Sequence, residues 1–153
     1  NKFNVTNITG IHVRHGDVKN ENGSRLVLLN QDYYLGAMSR FRSPDNLFII
    51  FSDDIQWCQE NLDSSDVVYS KYSTYEDKSP RPEYLDLCCM THCDNLIMAC
   101  STYSWWGAYL TKKQGTIIVP SKWWGPQYKD RTEEDIRLPS WVVEQAKSNF
   151  SII

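Results

Sequence analysis

Short apolar runs alternate along this chain with amphipathic stretches of helical period, and no other feature limits its fold as strongly. The predicted strands cover residues 8–13, 47–51, 67–69, 95–99 and 116–119, and the predicted helices cover residues 31–41, 54–62, 82–93 and 102–113. Such alternation is typical of crossover units, which build a parallel sheet covered on both faces. Because these crossovers are right-handed, the sequence predicts an α/β fold with a Rossmann-like, mostly parallel sheet and helices on both faces.

Length and composition exclude several classes of protein. With 153 residues, 23% of them charged and 41% hydrophobic, the chain has the size and composition of one globular domain. Its formal charge of −3 gives no indication of the basic surface that a nucleic-acid-binding protein needs. No apolar run approaches the roughly 20 residues of a membrane span. Because the chain begins at Asn1 rather than Met, we expect any membrane association through an N-terminal anchor outside it.

Polar residues lie at or just after the carboxyl ends of the first and fourth predicted strands. They are His12, Arg14, Asp17, Ser101, Thr102 and Ser104. Because ligands of open α/β sheets bind at the carboxyl ends of the strands, we expect these residues to form one site. The Arg14 guanidinium would bind a diphosphate through two parallel hydrogen bonds, while hydroxyls and free N–H groups at a helix start would bind another phosphate oxygen.

Each of these residues also has a purely structural interpretation. Arg14 could form a surface salt bridge with Asp17, and His12 could be a satisfied, half-buried histidine. The hydroxyls from Ser101 onward could cap a helix, although a capped helix start can still bind phosphate through its remaining donors. No glycine-rich phosphate loop follows the first strand, so Arg14 would have to replace it.

The sequence predicts no metal site. Asp53 and Asp54 are consecutive rather than spaced to share a cation, and the cysteines form no pair of CxxC motifs. The five cysteines are Cys58, Cys88, Cys89, Cys93 and Cys100. An odd number cannot pair completely within one chain. Cys89 and Cys93 lie four residues apart on one predicted helix and could face the same way, but we expect them to be buried free thiols that pack as small hydrophobic side chains.

Four segments occur in an order that is more specific than any one of them. They are His-Val-Arg-His-Gly-Asp at 12–17, Phe-Ser-Asp-Asp-Ile-Gln-Trp-Cys at 51–58, Asp-Leu-Cys-Cys-Met-Thr-His-Cys at 86–93 and Ser-Thr-Tyr-Ser-Trp-Trp-Gly-Ala-Tyr-Leu at 101–110. From about Gly10 to Trp124 the chain resembles the alpha-1,2-fucosyltransferases. It departs from their usual pattern at His15, where a second arginine is common, and at Cys100, where an asparagine usually precedes the Ser/Thr pair.

The resemblance implies a function and a set of roles. Residues 1–153 would be the donor-binding half of a GT-B-type glycosyltransferase whose acceptor-side half lies outside this chain. The enzyme would move L-fucose from GDP-fucose to the 2-hydroxyl of a galactose-terminated glycan, with inversion and without cofactor or metal. Arg14 would neutralise the departing diphosphate, and His12 would contact the nucleotide. Asp86 would bind the guanine edge or only supply charge near a helix start, and Asp17 would act as a base or only orient Arg14.

Four glycosylation sequons favour the secretory pathway. They begin at Asn4, Asn7, Asn22 and Asn149, and in a lumenal protein they would accept glycans. Together with the resemblance, they predict the lumenal side of the Golgi membrane for a eukaryotic protein.

Two other interpretations stay open. The run from Val13 to Gly16 is also how histidine phosphatases begin, with His15 as the phosphate-accepting nucleophile. That mechanism needs a second histidine late in the chain, whereas the histidines are His12, His15 and His92. The chain could also be a catalytically silent nucleotide-sugar-binding domain, an interpretation that His15 and Cys100 favour.

Overall fold

The computed structural model describes residues 5–71 and 83–146, which contain six strands and five α-helices. The strands are β1 (Asn7–Val13), β2 (Asn46–Ser52), β3 (Val67–Tyr69), β4 (Asn95–Ile97), β5 (Ile117–Pro120) and β6 (Val142–Glu144). The α-helices are α1 (Gly16–Asn20), α2 (Gln31–Ser39), α3 (Ile55–Leu62), α4 (Glu83–Met90) and α5 (Thr102–Tyr109). Two 3₁₀ helices, Pro126–Tyr128 and Glu133–Asp135, lie between β5 and β6.

The strands form one sheet in the order β3-β2-β1-β4-β5-β6, and every pair in it is parallel. This arrangement confirms the predicted Rossmann-like α/β fold. The chain first builds the sheet outward from β1 to β3, and then crosses back to place β4 on the other side of β1. Right-handed crossovers therefore place the helices after β1 and after β4 on opposite faces, which opens a crevice between the two strand ends.

Two inner strands, β1 and β2, supply much of the core of the sheet. Ile11 and Val13 of β1 and Phe48 and Ile50 of β2 are completely buried, as expected for strands that helices cover on both faces. Helix α2 is tied to β4 through Tyr33, whose hydroxyl donates a hydrogen bond of 2.8 Å to the carbonyl oxygen of Met98. This bond holds the carboxyl end of β4 at a defined place beside β1.

Two short elements were not expected from the sequence. Strand β6 pairs with β5 at the sheet edge, and two of its three residues are exposed, so it lacks the apolar pattern of a covered strand. Helix α1 has five residues, too few to show a helical period. Helix α5 ends at Tyr109 rather than at 113, because the chain then turns so that the Lys112 N–H bonds the Thr91 carbonyl at 3.2 Å.

Side-chain caps begin α2 and α3. Asn30 caps α2, and Asp54 caps α3. Asp54 accepts the backbone N–H of Trp57 at 3.1 Å, while the Ser52 hydroxyl accepts the N–H of Asp54 at 2.9 Å. The Asp53 side chain is engaged elsewhere, with the loop that follows β1.

The cysteines are all free thiols. Cys93 is buried, as expected, but the expectation for Cys89 is wrong, because Cys88 and Cys89 are exposed on α4. Cys58 and Cys100 are also buried. Burial raises the pKa of Cys58 and of Cys93 to about 12, so these thiols stay protonated.

In the ranges 5–71 and 83–146, no helix has the length and apolar character needed to cross a membrane.

Candidate functional site

The predicted site residues converge at the carboxyl edge of the sheet, between β1 and β4. These strands are neighbours; Arg14 follows the first, and Ser101 follows the second and caps α5. His12 of β1 lies beside α5, with its ring 5.3 Å from the ring of Tyr103. The strand order reverses at this edge, and open α/β sheets bind their ligands at such a point.

Arg14 is held between two carboxylates. Its Nε donates to Asp17 Oδ1 at 2.9 Å, and its terminal nitrogen pairs with Asp53 Oδ2 at 3.1 Å. Burial opposes the charge of Arg14, but the hydrogen bond to Asp17 and the negative charges of Asp53, Asp17 and Glu83 outweigh it and raise the pKa. The side chain remains 38% exposed, so a permanent cation stands at the edge of the sheet within reach of a solute.

Asp17 is an exposed partner of Arg14 and not an isolated carboxylate. Its Oδ1 accepts both the Arg14 Nε–H and the backbone N–H of Val18, each at 2.9 Å. The hydrogen bond from Arg14 is the main reason that the pKa of Asp17 lies below its usual value. A carboxylate stabilised in this way is a poor proton acceptor, which fits the orienting role better than the role of base.

Asp53 holds the turn that leaves β1. Its two oxygens accept the backbone N–H groups of His15 at 2.9 Å and Gly16 at 3.2 Å. A Cβ at position 16 would stand 2.9 Å from Asp53 Oδ2, so glycine permits this close approach. The sequence interpretation gave Asp53 no role in this turn and missed the contact. Its position just after β2, the neighbour of β1, was the available signal.

His15 is buried under the same turn. It is 3% exposed, its Nε2 lies 3.0 Å from the carbonyl oxygen of Leu29, and its ring centroid lies 4.0 Å from that of Trp57. The Nδ1 atom lies 3.9 Å from a carboxylate oxygen of Asp54. Burial lowers the pKa of His15. The ring therefore packs as an uncharged structural element rather than projecting toward solvent.

His12 is a buried, neutral imidazole beneath the site. It is 4% exposed, and Nδ1 has no hydrogen-bond partner in the part of the chain that the structure describes. Burial, with the nearby charge of Arg14, lowers the pKa of His12 to about 3. Since a buried polar atom without a partner is costly, a ligand group that bonded Nδ1 would remove that cost.

The three hydroxyl residues of α5 differ in their availability. The Ser101 oxygen accepts the backbone N–H of Tyr103 at 3.3 Å, which is a helix cap. Ser104 is fully buried, and its hydroxyl lies 3.2 Å from the carbonyl oxygens of both Ala99 and Ser101. Thr102 is exposed at the first turn. The structure thus brings all three to the site edge but leaves Thr102 as the hydroxyl most accessible to a ligand.

Asp86 lies on α4 and joins this neighbourhood through α5. It is 9% exposed and accepts a hydrogen bond from the hydroxyl of Ser70, which follows β3. The Tyr103 hydroxyl donates to the carbonyl oxygen of Glu83. Burial raises the pKa of Tyr103, with further contributions from the charges of Asp86 and Glu83. Tyr103 therefore lies between α4, which carries Asp86, and His12.

The loop that follows α1 and the loop that follows β5 meet each other. The N–H of Gly125 bonds the Arg25 carbonyl at 2.8 Å, and the Gln127 N–H bonds the Ser24 carbonyl at 2.8 Å. A Cβ on Gly125 would lie 2.1 Å from the Gly23 carbonyl oxygen, so the two loops touch backbone to backbone.

Within the described ranges, no group of three or more His, Cys, Asp or Glu side chains could hold a metal ion. Asp53 bonds the turn after β1 and Asp54 caps α3. Each of these adjacent carboxylates therefore has a structural contact of its own.

Comparison with known proteins gives consistent results. The family model of glycosyl transferase family 11 matches residues 2–145. The O-antigen biosynthesis glycosyltransferase WbnK of Escherichia coli is 31% identical over 141 residues, which are 89% of this chain and 44% of that protein. The alpha-1,2-colitosyltransferase of Escherichia coli is 31% identical over 123 residues, 77% of this chain and 41% of that protein.

A primate protein shows similar identity. The galactoside alpha-(1,2)-fucosyltransferase 1 of Ateles belzebuth is 35% identical over 143 residues, which are 87% of this chain and 37% of that protein. The chain thus spans less than half the length of these curated relatives. No solved structure matches significantly.

Proposed function

Because the chain belongs to glycosyl transferase family 11, we propose that residues 1–153 form the donor-binding half of an alpha-1,2-fucosyltransferase. The observation that carries this proposal is Arg14, a cation held by two carboxylates where the strand order reverses. Two relatives are named for alpha-1,2 transfer, one of fucose to a galactoside and one of colitose. We take GDP-fucose as the donor and a galactose-terminated glycan as the acceptor.

The proposed reaction is an inverting displacement. The 2-hydroxyl oxygen of the acceptor galactose bonds to the anomeric carbon of fucose as the bond to GDP breaks. The diphosphate leaves with the bonding electron pair, and the hydroxyl proton passes to a base. Arg14 and the start of α5 would stabilise the charge that develops on the diphosphate, which is the largest kind of catalytic contribution in such sites. Neither a metal nor a cofactor is assigned a step.

The nucleotide end of the donor would lie against His12, Tyr103 and Asp86. The Asp86 carboxylate can accept the paired N–H donors of guanine, which adenine and uracil do not offer together. His12, neutral and with an unpartnered Nδ1, would contact the nucleotide above it. Ser101 and Thr102 would meet the phosphates at the start of α5, and Asp17 would orient Arg14.

We also propose a lumenal location on the Golgi membrane if the host cell is eukaryotic. Asn7 and Asn22 of two sequons are exposed, which supports access to a glycosylating enzyme, while Asn4 and Asn149 lie outside the described residues. A mobility shift of the secreted chain after deglycosylation would support this location.

Calorimetric titration of this chain with GDP, ADP and UDP tests the donor site. We expect tighter binding of GDP than of the other two, and weaker GDP binding by Asp86→Asn. Equal affinity for all three nucleotides, or no binding by a folded chain, would contradict the proposal.

Two activity assays separate the alternatives. The isolated chain should transfer no fucose, because positioning of the acceptor hydroxyl supplies roughly 7–11 kcal/mol of barrier lowering and would come from outside this half. A silent binding domain would leave the full-length protein equally inactive. A phosphatase would instead release phosphate from small phosphoesters and lose that activity in His15→Ala, although the buried His15 ring does not favour that outcome.

A further inference from the structure

We infer that Asp53 is a positioning residue for the proposed donor site. It holds the Arg14 guanidinium and the backbone of residues 15 and 16 in the arrangement that meets the diphosphate. This inference rests on the proposed function and extends it to a residue that would not itself touch the donor.

One carboxylate makes all of the contacts. Oδ1 accepts the N–H of His15 at 2.9 Å, and Oδ2 accepts the N–H of Gly16 at 3.2 Å and pairs with Arg14 at 3.1 Å. The Asp53 side chain is 21% exposed, compared with 64% for Asp17, the other partner of Arg14. Since shielding from water strengthens charge-assisted hydrogen bonds, Asp53 is the firmer of the two supports.

The sheet register explains why an aspartate at this position reaches the turn. Val13, the last residue of β1, pairs with Ser52, the last residue of β2, so the residues that follow leave the sheet side by side. Asp53 therefore lies directly opposite the turn from Arg14 to Gly16, so the short aspartate side chain is long enough to reach it. Gly16 leaves room for the carboxylate, because a Cβ there would lie 2.9 Å from Oδ2.

The negative charge of Asp53 should weaken diphosphate binding, whereas its placement of the Arg14 guanidinium should strengthen it. A carboxylate 3.1 Å from the guanidinium weakens the field that Arg14 exerts on a diphosphate. If charge alone mattered, removing Asp53 would tighten binding of GDP. The inference is that placement outweighs charge, because a guanidinium binds a diphosphate well only when both of its parallel donors are aimed.

The test is calorimetric titration of the 153-residue chain with GDP, using Asp53→Asn. An amide keeps one acceptor oxygen but turns an NH₂ group toward backbone and guanidinium donors, so we expect GDP binding to weaken by about 10-fold. The matched control is Asp94→Asn at the other end of β1. Asp94 likewise accepts a backbone N–H, that of Ile8 at 2.9 Å, and pairs with a cation, Lys113, at 3.0 Å, yet its loss should leave GDP affinity unchanged.

Two further variants separate positioning from a general loss of structure. Gly16→Ala places its methyl group against the end of the Asp53 side chain and should weaken GDP binding to a similar extent. If Asp53 acts through Arg14, the Arg14→Lys, Asp53→Asn double variant should lose clearly less affinity than the two single losses combined, because residues that share one interaction are not additive. Melting curves show whether each variant is folded, and Gly16→Ala serves if Asp53→Asn is not.

The outcomes distinguish this inference from the proposed function. If wild type fails to bind GDP, the proposed function falls and this inference falls with it. If wild type binds and Arg14→Ala does not, but Asp53→Asn binds as well as wild type or better, only the positioning role is overturned. Full additivity in the double variant would likewise overturn it.

Discussion

At the scale of single residues, the main feature of this protein is the Arg14 guanidinium, which the fold holds in a fixed orientation before any ligand binds. Two carboxylates hold Arg14 in place, and its raised pKa keeps it charged throughout the physiological range. A donor that is already oriented needs no reorganisation when charge develops on a leaving group. Arg14 is therefore the residue whose loss should affect catalysis most.

Arg14→Ala should lower kcat/KM for GDP-fucose in the full-length protein by at least ~100-fold, because loss of one preorganised donor costs roughly 3 kcal/mol. Arg14→Lys should recover little, since an ammonium cannot form the two parallel hydrogen bonds of a guanidinium. Steady-state kinetics with varied donor concentration measure both effects. Activity of Arg14→Ala within a few-fold of wild type would remove Arg14 from the mechanism.

His12 should make the stability of the fold depend on pH. In the unfolded chain its pKa returns to about 6.5, whereas in the folded chain it is lowered to about 3. Between these two pKa values the unfolded state binds a proton on His12 and the folded state does not. The free energy of unfolding therefore falls as the pH is lowered through this range. We expect His12 to contribute a loss of up to about 1.4 kcal/mol in the free energy of unfolding per pH unit below its unfolded pKa.

Urea unfolding of wild type and His12→Gln at pH 7, 6 and 5 measures this contribution. The variant should show the shallower dependence of the free energy of unfolding on pH. The buried His15, whose pKa is also lowered, adds a loss in the same direction to both proteins. Identical slopes for wild type and His12→Gln would mean that the fold does not suppress protonation of His12.

At the scale of elements, the start of α5 combines structural and binding roles. Ser101 caps the helix through the Tyr103 N–H, and the other N–H groups at a helix start have no carbonyl partner within the helix. The structural interpretation of Ser101 is thus correct, and it does not conflict with the proposed contact to phosphate. Removing the cap should therefore affect two measurable quantities.

Ser101→Ala should lower the free energy of unfolding by about 1 kcal/mol, the usual loss for a removed cap, and should also weaken GDP binding. Asn30→Ala is the matched control, because Asn30 caps α2 in the same way, through the Tyr33 N–H at 3.3 Å. It should lose similar stability but retain GDP affinity. If both variants weaken GDP binding equally, the effect is general destabilisation and α5 has no special role.

At the scale of the whole molecule, the chain spans 37 to 44% of the length of its curated relatives, and its site lies at the carboxyl edge of the sheet. The order of the strands places one cation and one helix start at this edge. Together these groups can balance the charge of a departing diphosphate. We therefore expect the complete enzyme to need no metal.

Excess chelator should leave fucosyl transfer by the full-length protein unchanged. The control is a manganese-dependent glycosyltransferase assayed in the same buffer, which should lose its activity. If this protein lost activity with chelator and regained it with manganese, Asp53 and Asp54 would have to be reconsidered as ligands. Arg14 and the start of α5 would then balance only part of the charge on the departing diphosphate.

The class of fold and the position of Arg14 at a strand end could be predicted from the amino-acid sequence alone. Alternating apolar runs and helical periods are local properties, so five of the six strands, four of the five α-helices and the residues at strand ends could be predicted without tertiary information. β6 and α1 were not predicted for the same reason. Neither the short, exposed β6 nor the five-residue α1 has a local sequence pattern of its own.

Which strand ends are neighbours could be seen only in the tertiary structure. Asp53 lies far along the chain from the turn after β1, and its hydrogen bonds to that turn exist because β2 returns beside β1 in register. Tyr103 likewise comes between Asp86 and His12 because β4 inserts on the other side of β1 and carries α5 with it. Strand order depends on how the crossovers bury apolar surface across the whole sheet. A local sequence pattern does not contain that information.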